Sequence, residues 1–375
     1  MRRSGIKIGR VFGIPIYLHL SWILIFGLIS YSLVDEFGAR YPQWSSQQLW
    51  SLGLLTSLLF FGSVLFHELS HSVVARHYRI PVASITLFFF GGIASITRDP
   101  DSAGQEFLIA AAGPASSYVL AGVFGLLAYA TPDGSMPNAL GTWLAWTNLG
   151  LATFNLLPGF PLDGGRIFRS IIWGITKNYS RSTRIAARIG QAIAYGMMGF
   201  GAYTVFRSHS TVNGIWFVFL GWFLLTAARQ SYAQVAAQGA LQGLRAADVM
   251  TSEMPTVGRD ISLEEYAQEA SRTGRRAHLV VSDGRLVGLM RMEALQSFPR
   301  EEWPTTSVQA AMISRERLPW TAPEEPVLSV LERMRSANVD QLAVITGDNV
   351  VGLVTRDSIM RVLQTRSELG QVTSG

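Results

Sequence analysis

One short stretch of the chain carries residue types that suit metal chemistry. It is FHELSHSVVARH, residues 66–77, in which His67 and His71 lie four positions apart and Glu68 directly follows the first histidine. On an α-helix, positions four apart are separated by about 40° in azimuth and about 6 Å along the axis, so two imidazoles can bind one tetrahedral ion. Glu68 points to a neighbouring azimuth, where a carboxylate can accept the proton of a water that the metal activates. The pattern therefore predicts a zinc site with its own base.

The sequence before this motif favours function over coincidence. The pattern H-E-x-x-H also arises by chance, and in a soluble helix that explanation would compete with a metal site. Here residues 49–66 contain no charged side chain. Ionisable groups at membrane depth are costly and rarely accidental. We therefore interpret the histidine motif as a metal site at the end of an apolar helix.

A catalytic zinc with two histidine ligands needs one more protein ligand and an open position for water. The chain has no cysteine, so this ligand must be His, Asp or Glu. Asp163 is the candidate because it ends an apolar run that Pro158 and Pro161 interrupt, and interrupted helices at membrane depth are tolerated where they line a cavity. The glycine pair after Asp163 predicts a sharp turn. The alternative is that Asp163 merely caps the next helix.

A third histidine, His77, follows His71 by six residues. Soluble zinc proteases that use this spacing have a glycine midway, which lets the chain turn back, whereas this chain has Val74 there. If the helix continues, His77 lies about 15 Å along the axis from His67, too far to share an ion. We interpret His77 as a surface histidine in a basic loop.

The composition indicates what positions these residues. Only 15% of the 375 residues are charged, 49% are hydrophobic and the mean hydropathy is +0.25. These values predict an integral membrane protein with a soluble appendage. The first apolar run is interpreted as a retained anchor, because no small-residue cleavage site ends it. About six spans are predicted, the fourth and last being short: residues 14–33, 49–74, 103–130, 140–157, 189–206 and 215–228.

Lysine and arginine are concentrated in alternate loops. They are frequent before the first run, between the second and third, between the fourth and fifth, and after the last, whereas each other loop holds at most one. The positive-inside rule then places both termini in the cytoplasm. We expect a multi-pass protein of a prokaryotic inner or plasma membrane. This orientation accounts for the net charge of +5, so no direct nucleic-acid partner is expected.

The composition changes again after residue 230. We assign residues 1–230 to a membrane domain and 231–244 to a polar linker. Two soluble repeats follow, residues 245–300 and 301–375, in which VGLM is answered by VGLV at a period of about sixty residues. Each repeat predicts a helix and then a hairpin. The predicted hairpin turns are Asp283-Gly284 and Gly347-Asp348-Asn349.

The repeats resemble a tandem pair of CBS domains, a family that commonly binds adenine nucleotides. In that family a Thr at the end of the last strand and an Asp three residues on hold phosphate and ribose. The second repeat has Thr355 but Ser358 at the Asp position, with Asp357 one residue early, and the first repeat has Arg291 and Ala294. Thr355 and Asp357 are therefore nucleotide candidates. A purely structural or dimerising module is the alternative, and the pair could form a homodimer.

The membrane part resembles the site-2 protease family of intramembrane zinc metalloproteases. Three motifs carry the resemblance: HELSH in an apolar helix, NLLPGFPLDG at residues 155–164, and AGP at residues 112–114. The resemblance implies that His67, His71 and Asp163 bind one zinc ion per chain. It also implies that the substrate is a membrane-spanning protein cut within the lipid bilayer.

The resemblance gives a meaning to an apolar segment between the second and third runs. Residues 84–97 read SITLFFFGGIASIT, in which β-formers surround Gly91 and Gly92, a hairpin signal too short for a span. By similarity to the family we interpret it as a re-entrant hairpin whose edge pairs with unwound substrate. A cytoplasmic hairpin is the alternative. Asn148 and Asn155 are candidates for contact with the substrate or its oxyanion, against helix packing for Asn148.

The predicted fold is a polytopic α-helical membrane protein with a re-entrant β-hairpin, followed by an α/β CBS pair. The predicted function is intramembrane proteolysis, regulated by the CBS pair, with Glu68 passing a proton from water to the leaving amine. Family members often have Asn where this chain has Ser117, which leaves the role of that position open. The alternative function is a CBS-regulated ion transporter or channel that uses His67, Glu68 and Asp163 as an ion pathway.

Overall fold

The computed structural model describes two units, Met1–Val235 and Ala236–Gly375. The described residues are 5–89, 91–96, 98–207, 211–252, 255–282, 285–337, 339–347 and 349–372.

Long apolar helices form most of the first unit. A serine precedes three of them, Ser45, Ser102 and Ser135, and each serine oxygen accepts the backbone N–H three residues on, which satisfies a donor that the helix leaves free. The helices are α1 (Leu20–Arg40), α2 (Ser46–His77), α3 (Ala103–Ala130), α4 (Met136–Asn155), α5 (Asp163–Thr176), α6 (Tyr179–Arg207) and α7 (Thr211–Leu241).

A four-stranded sheet flanks α2 in the chain. Its strands are β1 (Ile6–Val11), β2 (Ile14–Leu18), β3 (Val82–Phe88) and β4 (Gly91–Ile96), in the spatial order β1-β2-β3-β4. Strand β2 runs parallel to β3, and β3 pairs with β4 in an antiparallel hairpin.

The hairpin that the sequence predicts is present, with a different turn. Gly91 and Gly92 open the second strand, opposite Phe88 and Leu87, rather than forming the turn. Phe90 and Thr97 lie outside the described residues. Entry of this hairpin into the bilayer stays a prediction.

Among the described residues, three helices are long and apolar enough to cross a membrane: α1, α2 and α3. The other predicted spans fall in α4, α6 and α7, and the count of six stays a prediction. The predicted start of the first span was wrong. Residues 14–18 form β2, because their backbone pairs with β1 on one side and β3 on the other.

The predicted reason for the glycine pair after Asp163 was also wrong. Gly164 and Gly165 lie inside α5 and do not adopt the left-handed conformation of a turn. A Cβ on Gly164 would overlap the carbonyl of Leu156, and one on Gly165 would overlap the backbone of Gly159. Neither position has room for a side chain, because the segment after α4 folds back over the first turn of α5.

The second unit contains two similar halves, each with a short sheet. The sheets have the orders β5-β6-β7-β8 and β11-β10-β9. The elements are α8 (Ala246–Val249), β5 (Thr256–Gly258), α9 (Leu263–Thr273), β6 (Ala277–Ser282), β7 (Arg285–Arg291), α10 (Val308–Ala311), β8 (Ile313–Ser314), β9 (Trp320–Thr321), α11 (Val327–Ser336), β10 (Gln341–Thr346), β11 (Asn349–Thr355) and α12 (Arg356–Val372).

Both predicted hairpins of the second unit are present as antiparallel pairs, β6 with β7 and β10 with β11. The predicted turn residues Asp283, Gly284 and Asp348 lie outside the described residues. Helix α7 continues to Leu241, so most of the predicted linker, residues 231–244, is helical. The domain limits stay predictions.

Candidate metal centre

Helix α2 places His67 and His71 one turn apart on one face. Each residue is only 4% exposed, and their Nε2 atoms lie 3.2 Å apart. The helix continues without a break to His77, whose side chain is exposed at the helix end. His77 is therefore not part of this group, as the helical spacing predicts.

Asp163, the first residue of α5, meets the two imidazoles. Its Oδ2 atom lies 3.1 Å from Nε2 of His67 and 3.2 Å from Nε2 of His71. Tetrahedral zinc with bonds of about 2.0–2.1 Å holds its ligand atoms roughly 3.3 Å apart. The three atoms form a triangle of nearly that size. The cap of α5 is Leu162, which makes no side-chain capping bond.

Each imidazole is held through its other nitrogen by α3. The Nδ1 atom of His71 lies 2.6 Å from the carbonyl oxygen of Ile109, and Nδ1 of His67 lies 2.9 Å from Oγ of Ser117. A carbonyl only accepts, so Nδ1 of His71 carries a proton, and in the neutral ring Nε2 then presents a lone pair to Asp163. Two neutral imidazole nitrogens and one carboxylate oxygen are a ligand set that suits zinc, so the donor set fits a metal ion.

The space beside the two Nε2 atoms is bounded by a residue without a side chain. A Cβ on Gly113 would overlap Nε2 of His71 and would lie 2.6 Å from Nε2 of His67. Gly113 belongs to the AGP motif, but the sequence does not reveal its role. With Ile109 and Ser117 it lies at intervals of four on one face of α3, so the same face bounds the cradle and orients both ligands.

Glu68 lies between the metal group and the sheet. The backbone N–H of Ala94 in β4 donates to its carboxylate, which also interacts electrostatically with both histidines and with Asp163. A Cβ on Gly92 would lie 2.5 Å from Cγ of Glu68. Among the described strands β4 lies at the edge of the sheet, and its Ala94 contacts Glu68, so the predicted base lies beside this edge.

The two asparagine candidates make bonds typical of helix packing. Asn148 is fully buried, and its amide donates to the carbonyl of Leu144 at 2.8 Å and to Oγ of Ser63 at 3.3 Å, which ties α4 to α2 one turn before His67. Asn155 donates to the carbonyl of Leu151 in its own helix at 3.0 Å. Contact of either residue with a substrate stays a prediction.

The nucleotide candidates lie at the start of α12 in the second unit. The hydroxyl of Thr355 accepts the N–H of Ser358 at 3.0 Å, and Oγ of Ser358 accepts the N–H of Thr355 at 3.1 Å. This reciprocal pair caps the helix. Asp357 is exposed. Ser358, at the position of the family's Asp, is therefore engaged in helix capping rather than free for a ribose.

Comparison with known proteins identifies both parts of the chain. The profile of peptidase family M50 matches residues 55–134 and 134–197, and the profile of the CBS domain matches residues 246–298 and 310–365.

Similar proteins extend over nearly the whole sequence. A relative from Synechocystis, named as a zinc metalloprotease, is 34% identical over 96% of this chain and 96% of its own length. A relative from Mycobacterium tuberculosis with the same type of name is 33% identical over 96% of this chain and 93% of its own. The solved site-2 protease from Methanocaldococcus jannaschii is 30% identical, covering 61% of this chain and 95% of that chain, with a TM-score of 0.43. On its identity to the near full-length relatives, the chain belongs to peptidase family M50, the site-2 protease family of zinc metalloendopeptidases, and carries a tandem CBS pair.

Proposed function

We propose that this chain is an intramembrane protease that cuts a peptide bond within or near a membrane-spanning segment of another protein. The observation that carries the proposal is the approach of His67, His71 and Asp163, whose candidate ligand atoms lie 3.1 to 3.2 Å apart. These three residues hold one zinc ion per chain. Membership of peptidase family M50 supports the same reaction class.

The residues around the centre have different roles in the proposed hydrolysis. Zinc, when bound, supplies a Lewis acid that polarises the scissile carbonyl and makes water nucleophilic near neutral pH. Glu68 takes one proton of the attacking water as the water oxygen bonds to the carbonyl carbon. It then gives that proton to the amide nitrogen as the C–N bond breaks. Ile109 and Ser117 keep both imidazoles oriented throughout.

The edge of β4 receives the substrate in this proposal. A membrane-spanning helix cannot be cut while its amides are bonded within the helix, so the cleaved segment must unwind and find other partners. The edge strand β4 lies beside Glu68 at Ala94, and Gly91 and Gly92 open that strand without side chains. Strand addition at this edge brings an extended peptide beside the base. Asn148 and Asn155 remain candidates for contact with the unwound segment or its oxyanion.

The proposed setting is a prokaryotic inner or plasma membrane, crossed about six times, with both termini in the cytoplasm. Three helices of sufficient length and hydropathy support the membrane location. The alternation of basic loops supports the orientation. The centre then lies near the cytoplasmic end of α2, where water can reach it.

The CBS pair regulates the protease in this proposal, through an adenine nucleotide or through pairing of two chains. The two matched CBS regions support a regulatory module. The capping role of Ser358 gives the second repeat no free carboxylate at the usual position. Thr355 and Asp357 therefore stay the candidate nucleotide contacts.

Cleavage by the wild type and by Glu68→Gln, each co-expressed with candidate single-span proteins, tests the proposal. Products identified by mass spectrometry should appear with the wild type and fall by about 10²- to 10⁴-fold with Glu68→Gln. Both proteins should retain zinc near one ion per chain, since Glu68 is not a ligand.

The matched control is Glu36→Gln, which neutralises an exposed carboxylate on α1 and should cleave normally. Equal cleavage by Glu68→Gln and the wild type would contradict the role of Glu68. A zinc-free protein that transports ions in proteoliposomes, with transport surviving Glu68→Gln, would instead support the transporter.

A further inference from the structure

A buried ion pair joins two of the helices that build the metal centre. Nε of Arg169 on α5 donates to Oε1 of Glu106 on α3 at 2.8 Å, and a terminal nitrogen of Arg169 donates to the same oxygen. Arg169 is 6% exposed and Glu106 is fully buried. Such a pair is weak evidence for stability, because the cost of desolvating two charges can exceed their attraction. Its geometry therefore suggests a role other than stability.

The Arg169 guanidinium has contacts on both faces and at its edge. Its carbon lies 4.8 Å from the ring centre of Phe160 and 4.5 Å from that of Tyr179, and NH1 lies 3.4 Å from Oγ1 of Thr183. The partners come from α3, from the segment before α5, and from α6. A planar cation stacked between two rings and bonded at its edge has one orientation. Sliding or rotating α5 against α3 would break these contacts together.

The pair lies close in the chain to the groups that form the metal centre. Glu106 precedes Ile109 by three residues on α3, and the Ile109 carbonyl holds His71. Arg169 follows Asp163 by six residues on α5, a rise of about 9 Å. The helix that orients the histidines and the helix that supplies the carboxylate are thus joined less than two turns from the metal group.

We propose that Glu106 and Arg169 are positioning residues that set the register of α5 against α3 and so hold the Asp163 carboxylate at the two imidazoles. The inference rests on the proposed metal role of His67, His71 and Asp163. Neither residue of the pair touches the metal or the substrate. A supporting contact of this kind typically changes metal affinity by 10- to 100-fold.

Two measurements on the purified full-length protein test the proposal. The first is the zinc dissociation constant, obtained by competition with a chelator, together with the absorption spectrum of the cobalt-substituted protein. The second is the distance distribution between spin labels on Val119→Cys in α3 and Ile175→Cys in α5, both exposed. The chain has no cysteine of its own, so the labels are unique, and this distance can be measured with or without bound metal.

Arg169→Lys keeps the charge but loses the planar stack, and it replaces three donor nitrogens by one. It should weaken zinc binding by about 10- to 100-fold, alter the cobalt spectrum and broaden the label distance. The control Arg98→Lys changes an exposed arginine that pairs with Asp101 at 2.9 Å, and it should leave all three unchanged. Unchanged zinc affinity and label distance in Arg169→Lys would overturn the proposal.

The double variant Glu106→Gln/Arg169→Met separates positioning from stability. It removes both buried charges of the pair. Arg166, whose Nε lies 4.0 Å from Oε1 of Glu106, keeps its charge, but its side chain is 23% exposed. If the pair positions α5, the double variant should still bind zinc weakly, although its thermal midpoint should return toward the wild-type value. Recovery of zinc affinity along with the midpoint would overturn the proposal. A wild-type protein that binds no zinc would contradict the proposed function instead. The label distances would still report whether the pair sets the register of α5 against α3.

Discussion

At the scale of single residues, the metal centre depends on what holds each imidazole from behind. His67 and His71 would be free to rotate about their side-chain bonds if only the helix carried them. The Ile109 carbonyl and the Ser117 hydroxyl occupy the two Nδ1 atoms, which directs both Nε2 atoms at Asp163. Orientation by such partners raises metal affinity because less rotational freedom is lost on binding.

Ser117→Ala removes the hydroxyl that lies 2.9 Å from Nδ1 of His67. We expect zinc affinity to fall by about 10- to 100-fold, because the ring loses the bond that fixes its direction. Chelator competition on the purified protein measures the change. The matched control is Ser116→Ala, whose hydroxyl bonds to the Gly113 carbonyl of its own helix at 2.7 Å. Equal loss in both variants would show that the Ser117 bond does not orient the ligand.

The sequence reveals the candidate ligands better than the residues that orient them. His67, Glu68 and His71 are readable because one helix fixes their spacing. Asp163 is readable as a candidate because it follows an apolar run that two prolines interrupt, although a helix cap explains the same residue type. The Ile109 carbonyl has no signal at all, since every residue has a carbonyl and only tertiary packing selects one.

At the scale of elements, one face of α3 bounds the candidate metal site. Ile109, Gly113 and Ser117 lie at intervals of four and present one face to α2. Ile109 meets His71 whereas Ser117 meets His67, so the two helices run antiparallel. The close approach requires a residue without Cβ at the middle position.

Gly113→Ala tests whether this close approach of α3 leaves the space for the metal. The added methyl would occupy space beside the two Nε2 atoms, so we expect loss of stoichiometric zinc with the helix intact. Alanine usually favours a helix interior over glycine by about 0.5–1 kcal/mol, but this methyl must displace the buried imidazoles, so the thermal midpoint is measured beside the zinc content.

Gly122→Ala is the control on the same helix, since a Cβ there meets nothing within 4 Å. Zinc content by elemental analysis and thermal unfolding of both variants complete the test. Normal zinc content in Gly113→Ala would contradict the proposed position of the metal.

The elements that the sequence predicts less well are those whose partners are distant in the chain. Residues 14–18 are apolar enough to extend the first span, yet they pair with β3, which follows more than sixty residues later. The glycines of α5 are explained by a segment that folds back over the helix. Hydropathy and local turn preferences carry no information about either partner.

At the scale of the whole molecule, hydropathy and charge predict a membrane part and a soluble part. Both parts are matched by family, peptidase family M50 and the CBS domain. The internal repeat was readable because similar sequence recurs in similar hairpins. The capping role of Ser358 was not, since the same residue types also suit a ligand contact.

The predicted orientation can be tested by cysteine labelling in intact cells. Asp133 lies between α3 and α4, and Asn178 lies between α5 and α6. A membrane-impermeant maleimide should label Asp133→Cys from outside, and should label Asn178→Cys only after permeabilisation, because the basic loop stays in the cytoplasm. The cysteine-free wild type is the control. The reverse pattern would show that the protein is inverted.

The most direct test of the account is X-ray absorption at the zinc edge of the purified full-length protein. Two imidazoles and one carboxylate predict nitrogen and oxygen ligands at about 2.0–2.2 Å, with the multiple scattering of two imidazole rings. Zinc bound with fewer than two imidazoles, or a protein that holds no stoichiometric zinc, would contradict the claim that His67, His71 and Asp163 form one metal centre.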